Sequence, residues 1–138
     1  MGAAARLITL DTSALVDRRD PDHASVLDEL QRDSGPYVVP AAILAELGYL
    51  VESRLGAAAM DAVLADLESG AYSLDCGDDD IPRIRSLASR YESLPLGYAD
   101  SAVIACAERN GGRVLTLDQR DFGVVAREGT IAVLPRST

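Results

Sequence analysis

The sequence predicts an α/β domain: a three-layer sandwich whose central parallel sheet is flanked by helices. Three observations carry that expectation. Two short apolar runs, residues 6–11 (RLITLD) and 113–118 (RVLTLD), each end in aspartate and have the near-continuous hydrophobicity of strands buried on both faces. Several longer stretches between them have helical periodicity. Glycine and proline, as at Gly35-Pro36, Gly70, Gly77, Pro95, Gly97, Gly111-Gly112 and Gly129, divide the chain into short units of alternating type. Strands that alternate with helices are joined by crossovers, which favours parallel pairing.

Taken in order, residues 6–11 form the first strand. Residues 21–32 form a helix opened by Pro21-Asp22, with His23, the one histidine, at its start in a solvated position. Residues 37–39 are a weaker strand candidate. In the helix expected over 41–55 the apolar stripe runs through Ile43, Leu44, Leu47, Leu50 and Val51. Glu46 lies on the edge of that stripe, and Glu52 points away from it. A further helix covers 57–68, a weak strand 72–74, and a helix 79–91. In the helix over 98–109, Asp100 shares a face with Ile104 and Ala107, beside Val103. The second strong strand, 113–118, and a last weak one, 130–134, complete the chain.

With 138 residues, 48% hydrophobic and 25% charged, the chain suits one domain spanning 1–138 with a single core. Its 13 basic residues are all arginine, against 22 Asp plus Glu, for a net charge of -9. General attraction to nucleic acid or an anionic membrane is therefore not its main device. The lack of lysine excludes a Walker A phosphate loop and Schiff-base chemistry. Cys76 and Cys106 are too few and too far apart for a disulfide framework or thiolate metal site, and both are expected to be reduced core residues. A single histidine gives no basis for a His-dependent triad. The N-terminus lacks the features of a secretory signal, and the most apolar stretch, 37–51, is too short for a bilayer span and contains Pro40 and Glu46, so a cytoplasmic location is expected.

The carboxylates carry the functional signal. In a parallel sheet Asp11 and Asp118 would emerge at the same carboxyl edge, where α/β sheets gather ligands. Each also suits a helix N-cap. Asp100 stands on an apolar helix face, where an ionised carboxylate is costly unless compensated by a partner, a metal or the helix dipole. Glu46 is the fourth. Clustered carboxylates raise one another's pKa, and a hard divalent cation resolves that conflict. An all-oxygen donor set without His or Cys suits Mg²⁺ or Mn²⁺ rather than zinc.

Four segments together resemble the PIN-domain ribonucleases of the VapC toxin type. They are the opening strand into Asp11-Thr12-Ser13-Ala14-Leu15, the Ala45-Glu46-Leu47 helix, the run from Ala99-Asp100-Ser101 to Ala105, and Leu115-Thr116-Leu117-Asp118 leading into Asp121-Phe122. The resemblance spans nearly the whole chain in order. It implies a PIN-like sandwich with the first and fourth strands adjacent at the sheet centre. It also implies an acidic Mg²⁺ or Mn²⁺ pocket of Asp11, Glu46, Asp100 and Asp118, with Ser13 orienting Asp11 and Asp121 as a further acid. The implied activity is metal-dependent hydrolysis of RNA phosphodiesters by the toxin of a type II toxin–antitoxin system. The implied partners are an RNA substrate, a basic VapB-type antitoxin segment and a second copy of the chain as homodimer. Such acidity leaves flanking phosphates to be held by arginines, with Arg18, Arg19 and Arg120 first and Arg83 or Arg85 next. A catalytically silent PIN-like module that binds RNA or protein is the alternative. A receiver-like domain would need a lysine, and a haloacid dehalogenase-type phosphatase would need an aspartate where Ser13 stands.

Overall fold

The computed structural model describes residues 7–16, 23–33 and 35–135, with the side chains of His23 and Leu27 excepted. Its centre is a five-stranded sheet of order β3-β2-β1-β4-β5, made of β1 (Ile8–Leu10), β2 (Tyr37–Pro40), β3 (Tyr72–Asp75), β4 (Arg113–Leu115) and β5 (Ala132–Leu134). Every pairing is parallel. Ile8, Thr9 and Leu10 are all fully buried, as expected of a central strand whose two faces are both covered. The register pairs Leu10 with Leu115, so the residues that follow, Asp11 and Thr116, leave the sheet side by side at its carboxyl edge.

The helices are α1 (Thr12–Val16), α2 (His23–Arg32), α3 (Leu44–Leu55), α4 (Ala57–Ser69), α5 (Ile81–Arg90), α6 (Tyr98–Arg109) and α7 (Gln119–Ala126). Single 3₁₀ turns at Ala41–Ile43 and Asp78–Asp80 precede α3 and α5, so the helices expected over 41–55 and 79–91 each begin with a tighter turn. The strands are shorter than the apolar runs that predicted them. Leu117 and Asp118 turn away toward α7, and the expected strand over 6–11 stops at Leu10. Neither α1 nor α7 is among the helices expected from periodicity. One is five residues long and the other eight, too short for a repeating stripe to stand out.

Helix α6 explains its own composition. Residues Ser101, Ala102, Val103, Ile104, Ala105, Cys106 and Ala107 are all buried, because α6 lies between β1 and β4 on one side and α5 on the other. Small side chains on the α5 side, Ala102 and Ala105, receive Ile84. The main core gathers Ile8, Leu10, Val39, Leu47, Ile104, Leu115 and Phe122. Cys106 is buried within α6, but Cys76 is exposed in the turn after β3, which corrects its expected place in the core. Both thiols are free. An apolar neighbourhood at Cys76 in the sequence reflects the strand before it, not the turn it occupies.

Gly112 joins α6 to β4. Its N–H donates to the Ala107 carbonyl at 2.7 Å, and its own carbonyl accepts from Ala132 N–H at 2.6 Å. Its φ is +85°, and a Cβ there would lie 2.9 Å from the Thr130 carbonyl oxygen. Both the backbone region and the rigid neighbour exclude a side chain. Gly112→Ala is expected to lower stability by about 2 kcal/mol. Urea unfolding checks this, and an unchanged midpoint would show that the β4–β5 connection yields freely.

Among the described residues, no helix is long and apolar enough to cross a membrane.

Candidate active site

The sheet's carboxyl edge opens into a cleft of about 220 Å³ lined by Asp11, Glu46, Asp100 and Asp118 together. Four elements deliver them. Asp11 follows β1 directly, Glu46 lies in the first turn of α3, Asp100 in the first turn of α6, and Asp118 sits between β4 and α7. Val16 and Leu50 supply apolar wall, and Arg54 is also in the lining.

Asp11 is 7% exposed and held by two hydroxyls. Ser13 Oγ donates to its Oδ2 at 2.8 Å and Thr116 Oγ1 donates to the same oxygen at 2.7 Å. The proton directions are set by the backbone. Leu117 N–H donates to Ser13 Oγ and Asp118 N–H to Thr116 Oγ1, both at 3.0 Å. Each hydroxyl thus receives one N–H and turns its single proton to Asp11. Ser13 performs the orienting role the resemblance implied, and Thr116 shares it. Thr116 was legible only as part of a motif, because a threonine in a buried strand reads as packing. Thr12 also lines the cleft, and its buried Oγ1 has no hydrogen-bond partner among the described residues.

Asp118 has the helix-capping role that one of its sequence readings suggested. It lines the cleft, and its Oδ1 caps α7 by accepting from Asp121 N–H at 3.4 Å. Burial raises its pKa above the usual carboxylate value, reinforced by Asp121 and Asp11 and opposed by the Asp121 amide and Arg120. Asp100 bears the largest perturbation among the cleft acids. Burial, followed by the charges of Asp11, Asp118, Asp121 and Glu46, pushes it up to about 6. Asp121 acts on both residues electrostatically without lining the cleft.

The donor set fits a hard divalent cation, since every candidate ligand is a carboxylate or hydroxyl oxygen. Among the described residues, no three of His, Cys, Asp and Glu converge at the spacing of a ready-made ligand group. That geometry suits an ion held through one or two carboxylates, with water and substrate phosphate completing its shell, as Mg²⁺ commonly is.

The arginines nominated from sequence divide differently. Arg18 and Arg19 lie outside the described residues. Arg83 is engaged elsewhere, because its guanidinium forks onto Glu108 at 2.8 and 2.9 Å and also reaches Glu128. Arg85 is exposed on α5, away from the cleft lining. Arg120 is exposed beside Asp118, whose pKa it lowers. Arg54 was missed. Its signal was available as the position eight residues beyond Glu46 on the same helix face.

Comparisons with known proteins bear on the family and the fold. The family model described as PIN domain matches residues 8–128. The chain is 38% identical over 121 residues to Ribonuclease VapC26 of Mycobacterium tuberculosis (strain ATCC 25618 / H37Rv), covering 84% of this chain and 90% of that protein. The crystal structure of Mycobacterium tuberculosis VapC20, described as a Sarcin-Ricin loop cleaving toxin, superposes with a TM-score of 0.69 at 17% identity. That match covers 85% of this chain and 94% of the other, and it is a likeness of fold.

Proposed function

The chain belongs to the PIN-domain family, and from that premise we propose that it is a divalent-metal-dependent endoribonuclease acting as the toxin of a type II toxin–antitoxin pair. The observation that carries this reading is the convergence of Asp11, Glu46, Asp100 and Asp118 on one cleft, with Asp100 pushed up to about 6 by burial and by the other acids. A fold maintains such repulsion where function needs it.

In this reading Asp11, Glu46, Asp100 and Asp118 would together hold Mg²⁺ or Mn²⁺ in the cleft, one or two as direct ligands and the others through water. When bound, the ion supplies Lewis acidity toward the scissile phosphate and acidifies the attacking water. The chain's own residues do the rest. Ser13 and Thr116 fix Asp11 through Oδ2, which leaves the direction of its other oxygen determined. Asp118 is fixed by its cap on α7. Asp100 must lose its proton to bind a cation, so cleavage should rise with pH through the region near 6 when metal is limiting.

The cleft's negative charge also suits a basic segment of a VapB-type antitoxin, whose cationic side chain would form charge-assisted hydrogen bonds there. A second copy of the chain is the remaining partner of the proposal, and the cytoplasm, where RNA and antitoxin are both found, is its location.

The test is cleavage of labelled RNA by protein freed of antitoxin, with Mg²⁺, with Mn²⁺ and with chelator. Cleavage that requires either ion is expected. Cleavage that persists in chelator would overturn the metal-dependent reading, and none under any condition would favour a silent binding module.

A further inference from the structure

We propose that Arg54 is a substrate-positioning residue of the cleft, its guanidinium binding an RNA backbone phosphate that flanks the scissile one. The proposal rests on the ribonuclease reading and supplies it with a cationic contact from the cleft's own lining.

Glu46, Leu50 and Arg54 recur every fourth residue on α3, and all three line the cleft. One helix face therefore presents an acid, an apolar spacer and a cation to a common space. At 1.5 Å per residue, Glu46 and Arg54 are about 12 Å apart along the axis, so Arg54 stands at the rim rather than over the carboxylates. That spacing selects a flanking phosphate.

Arg54 has no ion pair among the described residues. Arg85, Arg120 and Arg127 are likewise without one, but of these four only Arg54 lines the cleft. Arg83 and Arg90 are held by Glu128, Arg109 by Asp75 and Asp80, and Arg113 by Asp33. Arg54 also lies in the last turn of α3, where the helix dipole favours a cation. The dipole accounts for charge at that end but does not use the guanidinium's fork of donors. An anion entering the cleft would meet that fork, and bidentate pairing with phosphate offsets the repulsion from the acids below. RNA is favoured over the antitoxin as the group Arg54 receives, because a basic antitoxin segment would be repelled by it.

The experiment compares wild type with Arg54→Ala and Arg54→Lys on a short labelled single-stranded RNA in Mn²⁺. It measures cleavage kinetics, and it measures RNA binding by fluorescence anisotropy in an Asp100→Asn background. Arg54→Ala should raise KM and Kd about tenfold, the scale of one lost charge-assisted contact, with kcat within about twofold. The slope of log Kd against log salt should shrink by about 0.7, one phosphate contact on a single strand. Arg54→Lys should recover part of both. Mn²⁺ affinity without RNA should be unchanged.

Unchanged KM, Kd and salt slope in Arg54→Ala would overturn the proposal while the ribonuclease reading stands. Altered Mn²⁺ affinity with unaltered RNA binding would overturn it too, making Arg54 a counter-charge to the acids. A wild type that binds RNA through Arg54 but never cleaves would sustain the contact and sink the ribonuclease reading. A wild type that does neither would sink both.

Discussion

Asp100→Asn should reduce RNA cleavage by on the order of 10²- to 10³-fold, the effect of removing one electrostatic group from an active site, while the protein stays folded. The substitution keeps the volume of a side chain that is partly buried in the first turn of α6, and it leaves the packing of Val103, Ile104 and Ala107 beneath it intact. What it removes is the charge that can hold a cation. Mn²⁺ binding to the variant should therefore weaken, and cleavage should recover only in part at high Mn²⁺. Glu52, on the exposed side of α3 and outside the cleft lining, is the control. Glu52→Gln should cleave within about twofold of wild type, as surface changes away from a site generally do. Initial rates with matched circular dichroism spectra test both variants. A folded Asp100→Asn protein with wild-type rates would remove Asp100 from the site.

The sheet was legible because its two central strands are buried on both faces and so are apolar without interruption. Their adjacency followed from the family resemblance, and the β1–β4 register then brings Asp11 and Thr116 together. Asp100 was legible as a carboxylate on an apolar helix face, and Glu46 as one at the edge of an apolar stripe. What escaped detection has physical causes. Thr116 follows directly on β4, within an apolar run where a β-branched residue needs no explanation beyond packing. Arg54 is one exposed arginine on a helix, and its meaning depends on which loops close over the same face. Arg83 looked free because its partners, Glu108 and Glu128, lie on other elements. Burial patterns along a chain report what faces the core. They do not report which charges tertiary contacts have already paired.

The metal-free protein should melt several degrees higher as Asp100→Asn than as wild type at pH 7.5, and the difference should vanish on acidification. The folded-state pKa of Asp100, about 6, lies above its ordinary value of 3.8. Between those values the native state holds a proton that the unfolded chain has released, so stability falls as pH rises through the interval. Above it the full penalty of a buried, repelled charge is present; below about pH 4 both states are protonated and there is none. Asparagine has no such titration. Asp11→Asn should gain less than Asp100→Asn, because Asp11 accepts from Ser13 and Thr116 at 2.8 and 2.7 Å and loses the charge that strengthens those bonds. Added Mn²⁺ at 100 times its dissociation constant stabilises a native state by about 2.7 kcal/mol, so it should raise the wild-type melting temperature and move both variants less. The measurement is thermal melting of the three proteins from pH 4 to 8, in chelator and in Mn²⁺. Parallel pH profiles for wild type and Asp100→Asn in chelator would show that the cleft's repulsion is relieved by water and salt, and that the acids are not held there against a folding cost.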